Sequence, residues 1–161
     1  MTAMRRVAFA IIVNAFIVNV FALALVSACV AAKLESLDEL KARFENAHPE
    51  DRSELAIRIA QYQLRNADKL YVDGKADQAA VVVDDIVTYS EKARDAATQT
   101  NKRLKNVEID VRKMAEKLRD IKRSLAFEDQ PPVEQAIRRM EDIRTSLLKA
   151  MFAKDNKKDK K

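Results

Sequence analysis

One spacing constrains this chain more than any other feature. From Ala76 to Leu125, apolar or small residues recur at alternating steps of three and four: Ala76, Ala79, Val83, Ile86, Ser90, Ala93, Ala97, Thr100, Leu104, Val107, Val111, Met114, Leu118, Ile121 and Leu125. This is the heptad rhythm that keeps one seam of an α-helix turned toward a partner helix. It predicts one long helix over about 76–125, roughly 75 Å in length at about 1.5 Å per residue. Thr98-Gln99-Thr100-Asn101 has poor helix propensity, so a bend near Gln99 is the alternative.

The rest of the chain supplies partners for that helix. A single Gly and three Pro leave few tight turns, and no segment alternates apolar and polar residues as a strand would. The expected class is all-α: antiparallel helical hairpins built on the long helix, within residues 33–153. Leu34, Leu37, Leu40, Phe44 and Ala47 line a short helix that His48-Pro49 ends. Pro49 opens the next helix, with Asp51 and Ser53 as candidate caps and Leu55, Ile59, Tyr62, Asn66 and Leu70 as its stripe. Asp73-Gly74 stops it, and because helicity resumes at once the two helices fold back on each other.

Off-stripe Ala80, Val81, Val82, Val87 and Tyr89 imply packing on several sides of the first half of the long helix. In Leu104–Leu125 only Ile109 and Ala115 leave the stripe, so one partner helix suffices there. Pro131-Pro132 ends the long helix. A last helix carrying Val133, Ile137, Met140, Ile143, Leu147 and Met151 then returns antiparallel along that seam. The same heptads would also serve a coiled-coil homodimer. Lys154 to Lys161 holds no apolar residue and is expected to be a disordered basic tail.

Ala67-Asp68-Lys69-Leu70-Tyr71-Val72-Asp73-Gly74-Lys75-Ala76-Asp77-Gln78-Ala79 resembles the core of a tetratricopeptide hairpin: a small residue, a Leu/Tyr pair, a turn glycine, and an alanine five residues on. The family's aromatic after the glycine is replaced by Ala76, and its closing proline is missing. The resemblance covers one repeat, within 50–97, where a solenoid needs about three. It implies a peptide-binding scaffold and carries over no binding residue.

The first 32 residues read as targeting. Arg5 and Arg6 precede an apolar run from Val7 to Ala32, broken only by Asn14, Asn19, Ser27 and Cys29. A basic start, an apolar middle and small residues at the end describe a bacterial export signal. Val26-Ser27-Ala28-Cys29 resembles the lipobox of bacterial lipoproteins, which implies lipidation at Cys29. Cleavage before Lys33 and an uncleaved transmembrane anchor remain open; the run is long enough to cross about 30 Å of hydrocarbon. All three fates place the domain in the cell envelope, facing the periplasm or exterior, or secrete it.

The net charge of +5 sits at the ends of the chain. Arg5, Arg6 and the tail account for it, while Lys33 to Ala153 is balanced at 23 basic and 23 acidic residues. With no overall basic footprint and no aromatic residues among the basic ones, nucleic acid is not an expected partner. Lys105, Arg112 and Arg119 do repeat every seven, with Lys113 alongside, and form a candidate contact for anionic lipid or another polyanion within a locally basic stretch from Lys102 to Arg123. A solubilising face of paired charges is the plainer explanation. His48 is the only histidine and Cys29 the only cysteine, so neither a metal cluster, a cofactor loop nor a catalytic constellation can be assembled. The expectation is a non-enzymatic exported scaffold or adaptor that binds a protein partner.

Overall fold

The computed structural model describes residues 36–158, which form five α-helices: α1 (Leu37–Glu45), α2 (Pro49–Val72), α3 (Ala76–Thr100), α4 (Leu104–Ser124) and α5 (Gln130–Lys158). The export segment, Cys29 and Leu34 lie outside the described residues. The all-α, antiparallel-hairpin architecture is present, and no strand occurs among the described residues.

The single long helix is not. It ends at Thr100 and restarts at Leu104, because Asn101 (φ 57°) and Arg103 (φ 60°) both take left-handed backbone. Asparagine tolerates that region better than most residues, whereas arginine has no local compensation. Two ion pairs hold the corner: Lys102 Nζ lies 2.6 Å from Glu50 Oε1, and Arg103 pairs with Glu54. The break falls at the end of the weak stretch 98–101, two residues past Gln99, and it is a full reversal of direction rather than a bend.

That reversal makes two hairpins from one heptad stripe. In the first, α2 and α3 join through Asp73 and Gly74, whose φ is 71°. Gly74 N–H donates to Tyr71 C=O and Lys75 N–H to Leu70 C=O, the paired bonds that close a helix around a left-handed glycine. Fully buried Ala56, Ala60 and Ala67 face a helix whose own seam holds Ala79, Ala93 and Ala97, so the two backbones approach closely. Buried Ser90 contributes here too, its hydroxyl satisfied by Ile86 C=O at 2.8 Å. In the second hairpin, α4 and α5 join through a 3₁₀ turn (Phe127–Asp129), and Pro131 and Pro132 fall in the first turn of α5. There the missing N–H groups cost nothing, so the prolines start this helix rather than precede it.

The hairpins stack counterpart on counterpart. Glu50, Glu54 and Asp68 of α2 meet Lys102, Arg103 and Lys117 at and along α4, their numbers rising together, so α2 and α4 run parallel. Likewise α5 lies parallel to α3, with Arg139 bridging Asp84 at 2.8 Å and Glu91 at 3.0 Å. The α4 seam is therefore filled by α5, as expected, but also by α2; one partner did not suffice, and off-stripe Ala115 is buried as well. Stripe positions from Ala79 to Ile121, apart from half-buried Thr100, belong to the buried interior of the two hairpins.

At the other side of the first hairpin sits α1. Ser36 caps it, accepting from Glu39 N–H while the Glu39 carboxylate accepts from Ser36 N–H. Leu40 and Phe44 are its buried residues, and Phe44 meets Tyr89 edge to face at 5.9 Å between ring centroids. Tyr89 is thus an off-stripe residue with a partner of its own, while Val81 remains 70% exposed. Neither Asp51 nor Ser53 is a cap: α2 begins at Pro49, behind His48, and Ser53 lies buried in its second turn. At the far end α5 runs to Lys158, into the basic stretch expected to be disordered.

The left-handed corner yields a direct test. Replacing Asn101 by alanine puts a Cβ-bearing residue without a local hydrogen-bonding group at φ 57°, and is expected to cost about 1 kcal/mol of stability. Asn101→Gly is expected to be neutral or slightly stabilising. Urea unfolding midpoints of the two variants against the parent check both.

Candidate functional site

The predicted polyanion stripe divides once the helices are in place. Its first members are consumed by the fold: Lys102 and Arg103 clamp α2, and the hydrogen bond from Lys102 holds the Glu50 carboxyl below its ordinary value. Arg112 lies 3.8 Å from Glu108 and 4.0 Å from Glu116 on its own helix. Lys105 and Lys113 are exposed, Lys113 beside Asp110. Of the four candidate residues, Arg119 lines a groove between α4 and α5.

What holds α4 against α5 is a ladder of charges across their shared face. Arg144 Nε donates to Glu108 Oε1 at 2.7 Å, Arg119 pairs with Glu141, and Lys122 Nζ reaches Glu134 Oε2 at 3.2 Å. Glu108 is the most enclosed member, its side chain 11% exposed. A carboxylate so placed needs a charged donor, because an unpaired buried charge is expensive.

At the turn end of this ladder the helices part into a groove of about 610 Å³. Arg119, Lys122 and Arg123 from the last turns of α4 and Gln130, Glu134, Ile137 and Arg138 from the start of α5 line it. Gln130 also anchors the connecting turn, its side-chain N–H donating to Leu125 C=O at 3.1 Å. Four cations therefore surround one half-buried isoleucine and one carboxylate. That carboxylate, Glu134, serves both Lys122 and, at 3.4 Å, Arg138. Arg123 pairs with Asp120 at 2.7 Å on its own helix, with side chains 75% and 59% exposed. Pairs this open to water contribute little and are readily exchanged. Chemically, the groove is suited to holding carboxylates around an apolar contact. Arg138 and Ile137 belong to a helix the stripe never touched, so the seven-residue spacing of α4 carried no signal for them.

A smaller groove of about 230 Å³ lies between α2 and the start of α4, lined by Ser53, Ile57, Arg103, Val107 and Asp110 among others. Burial pushes the Asp110 carboxyl up, against the opposing pull of Lys113. Among the described residues no group of three His, Cys, Asp or Glu converges to hold a metal, and no helix is long and apolar enough to cross a membrane. The predicted lipidation site Cys29 lies outside the described residues.

Three outcomes follow from these environments. Arg144→Ala leaves Glu108 with only the longer contact to Arg112 and is expected to lower the unfolding midpoint measurably. Arg123→Ala, at an exposed pair, is expected to cost under about 0.5 kcal/mol; thermal and urea unfolding compare them. For Asp110, the folded state keeps its proton to higher pH than the unfolded chain, so the group opposes folding as pH rises through its raised value. Asp110→Asn is therefore expected to raise the melting temperature at neutral pH and to leave it unchanged in acid, below the carboxylate range.

No protein-family model, curated protein or solved structure matches this chain.

Proposed function

We propose that this is an exported, membrane-attached helical adaptor, in which residues 1–32 direct export, Cys29 carries the lipid, and the hairpin domain binds a protein partner. The observation that carries the reading is the groove between α4 and α5, where cations from two helices surround Ile137. Its volume is in the range of recognition sites, and it lies beside a rigid ladder of ion pairs that holds its walls in place. The heptad seam is already filled within the chain, which favours an adaptor over a coiled-coil homodimer built on that seam. Arg112 and Arg119 are engaged with carboxylates of this chain, which weighs against a lipid surface held by the whole stripe.

Two measurements test the reading. The intact mass of protein purified from its own membrane fraction is expected to correspond to a chain beginning at Cys29 plus acyl groups. An unprocessed chain replaces the lipid by a transmembrane anchor, and a start near Lys33 without lipid makes the domain a secreted one. A photoreactive amino acid at Ile137 is expected to cross-link a different protein in the living cell; cross-links to nothing, or to a second copy alone, rule the adaptor out.

A further inference from the structure

The composition of the α4–α5 groove also specifies what kind of segment it takes. We infer that the partner presents an acidic segment bearing one apolar side chain, which docks with its carboxylates on Arg123 and Arg138 and its apolar group on Ile137. This rests on the adaptor reading and names the chemistry of its binding partner.

The four cations of the groove are not equivalent. Arg119 and Lys122 are rungs between helices, paired with Glu141 and Glu134, and their side chains are 42% and 31% exposed. Losing either loosens the walls. Arg123 and Arg138 are 75% and 72% exposed and come from opposite helices. Asp120, the partner of Arg123, lies on the same helix three residues away, and Glu134, the partner of Arg138, is four residues away and shared with Lys122. Neither pair links α4 to α5, so neither is needed to hold the groove together. An incoming carboxylate that accepts two parallel N–H bonds from a guanidinium forms a stronger contact than a pair washed by water. Two arginines on opposite walls therefore present forks to a segment lying in the groove.

Charge alone would admit any polyanion. Ile137 narrows the choice: it is half-buried on the groove lining and offers an apolar surface among the charges. A helical or extended peptide with an apolar residue among acidic ones covers it, removing that surface from water while keeping every charge at the rim. Anionic headgroups of a bilayer offer charge without an apolar group at that depth.

The experiment uses the full chain in detergent and a fluorescent synthetic peptide of glutamates around a central leucine, read by anisotropy. Expected is saturable binding that weakens as salt rises. It is expected to be absent for the glutamine counterpart of the peptide and to weaken about tenfold in an Arg123→Glu/Arg138→Glu variant. Lys105→Glu/Lys113→Glu, the same change of charge outside the groove, is expected to shift affinity less than about twofold. Equal losses in the two double variants, or undiminished binding of the glutamine peptide, overturn the inference. So does anionic-vesicle binding that exceeds peptide binding and is lost in the groove variant, which would make the surface a membrane contact. Circular dichroism and melting of both variants exclude misfolding, and Arg123→Gln/Arg138→Gln provides a neutral version with the same expected direction. The in-cell cross-link from Ile137 separates this inference from the reading beneath it. A cross-linked partner whose attached segment is not acidic sinks the inference and leaves the adaptor standing, whereas the absence of any partner sinks both.

Discussion

The reversal at Asn101–Arg103 is the constraint on which the rest of the structure depends. A seam of 50 residues on one straight helix has no partner of equal length in a chain this size. Folding it in two lets each half bury the same stripe against its own returning helix and against the other half's hairpin. The cost is two residues in left-handed backbone, one of them an arginine, and such residues persist only where their surroundings over-determine them. Here the surroundings are Glu50 and Glu54 in the first turns of α2, which receive Lys102 and Arg103 as the chain turns. Those carboxylates also complement the positive end of the α2 dipole, so one cluster of charge serves two ends of structure.

Stacking follows from the corner. With α4 turned back beside α2 and α5 beside α3, the hairpins lie layer on layer, and their buried residues merge into one core from Leu40 to Leu147. The two outer sides of that stack are closed by different means. On the first hairpin, α1 covers Tyr89 with Phe44, and Lys41 and Lys92 lie near the Tyr89 ring. On the second, the Glu108–Arg144, Arg119–Glu141 and Lys122–Glu134 ladder spans α4 and α5. Stacked helical layers require a polar terminal face of this kind to remain soluble. The candidate groove is the place where that ladder runs out toward the turn.

Small residues acquired a different meaning in three dimensions. Ser90, Ala93, Ala97 and Thr100 look like the weak middle of a coiled-coil seam, poor in apolar volume. In the fold Ser90, Ala93 and Ala97 are buried completely within the close packing of α3 against α2. Tyr71 illustrates the limit of that compactness. Its hydroxyl is buried without a hydrogen-bond partner near the second hairpin's turn, and burial, aided by the charge of Asp129, pushes it up from its ordinary value.

The sequence by itself determined the all-α class, the helix start at Pro49, the stop at Gly74 and most of the core. These depend on local chemistry: proline at the start of α2, glycine at its end, and a stripe whose period matches the α-helix. It determined equally that α5 pairs with α4, since a short connection leaves an apolar helix no other seam. Only the tertiary structure decided where and how sharply the long helix broke, because helix propensity around Gln99 is diffuse while the reversal is required by the packing of α4 against α2 and α5. The tertiary structure also decided which cations were spent on holding the fold and which were left at a groove. Lys105, Arg112, Lys113 and Arg119 look alike along one helix; what distinguishes Arg119 is the arrival of Glu134, Ile137 and Arg138 on another. Charge pairing depends on distances between helices, and a one-dimensional spacing holds no information about them.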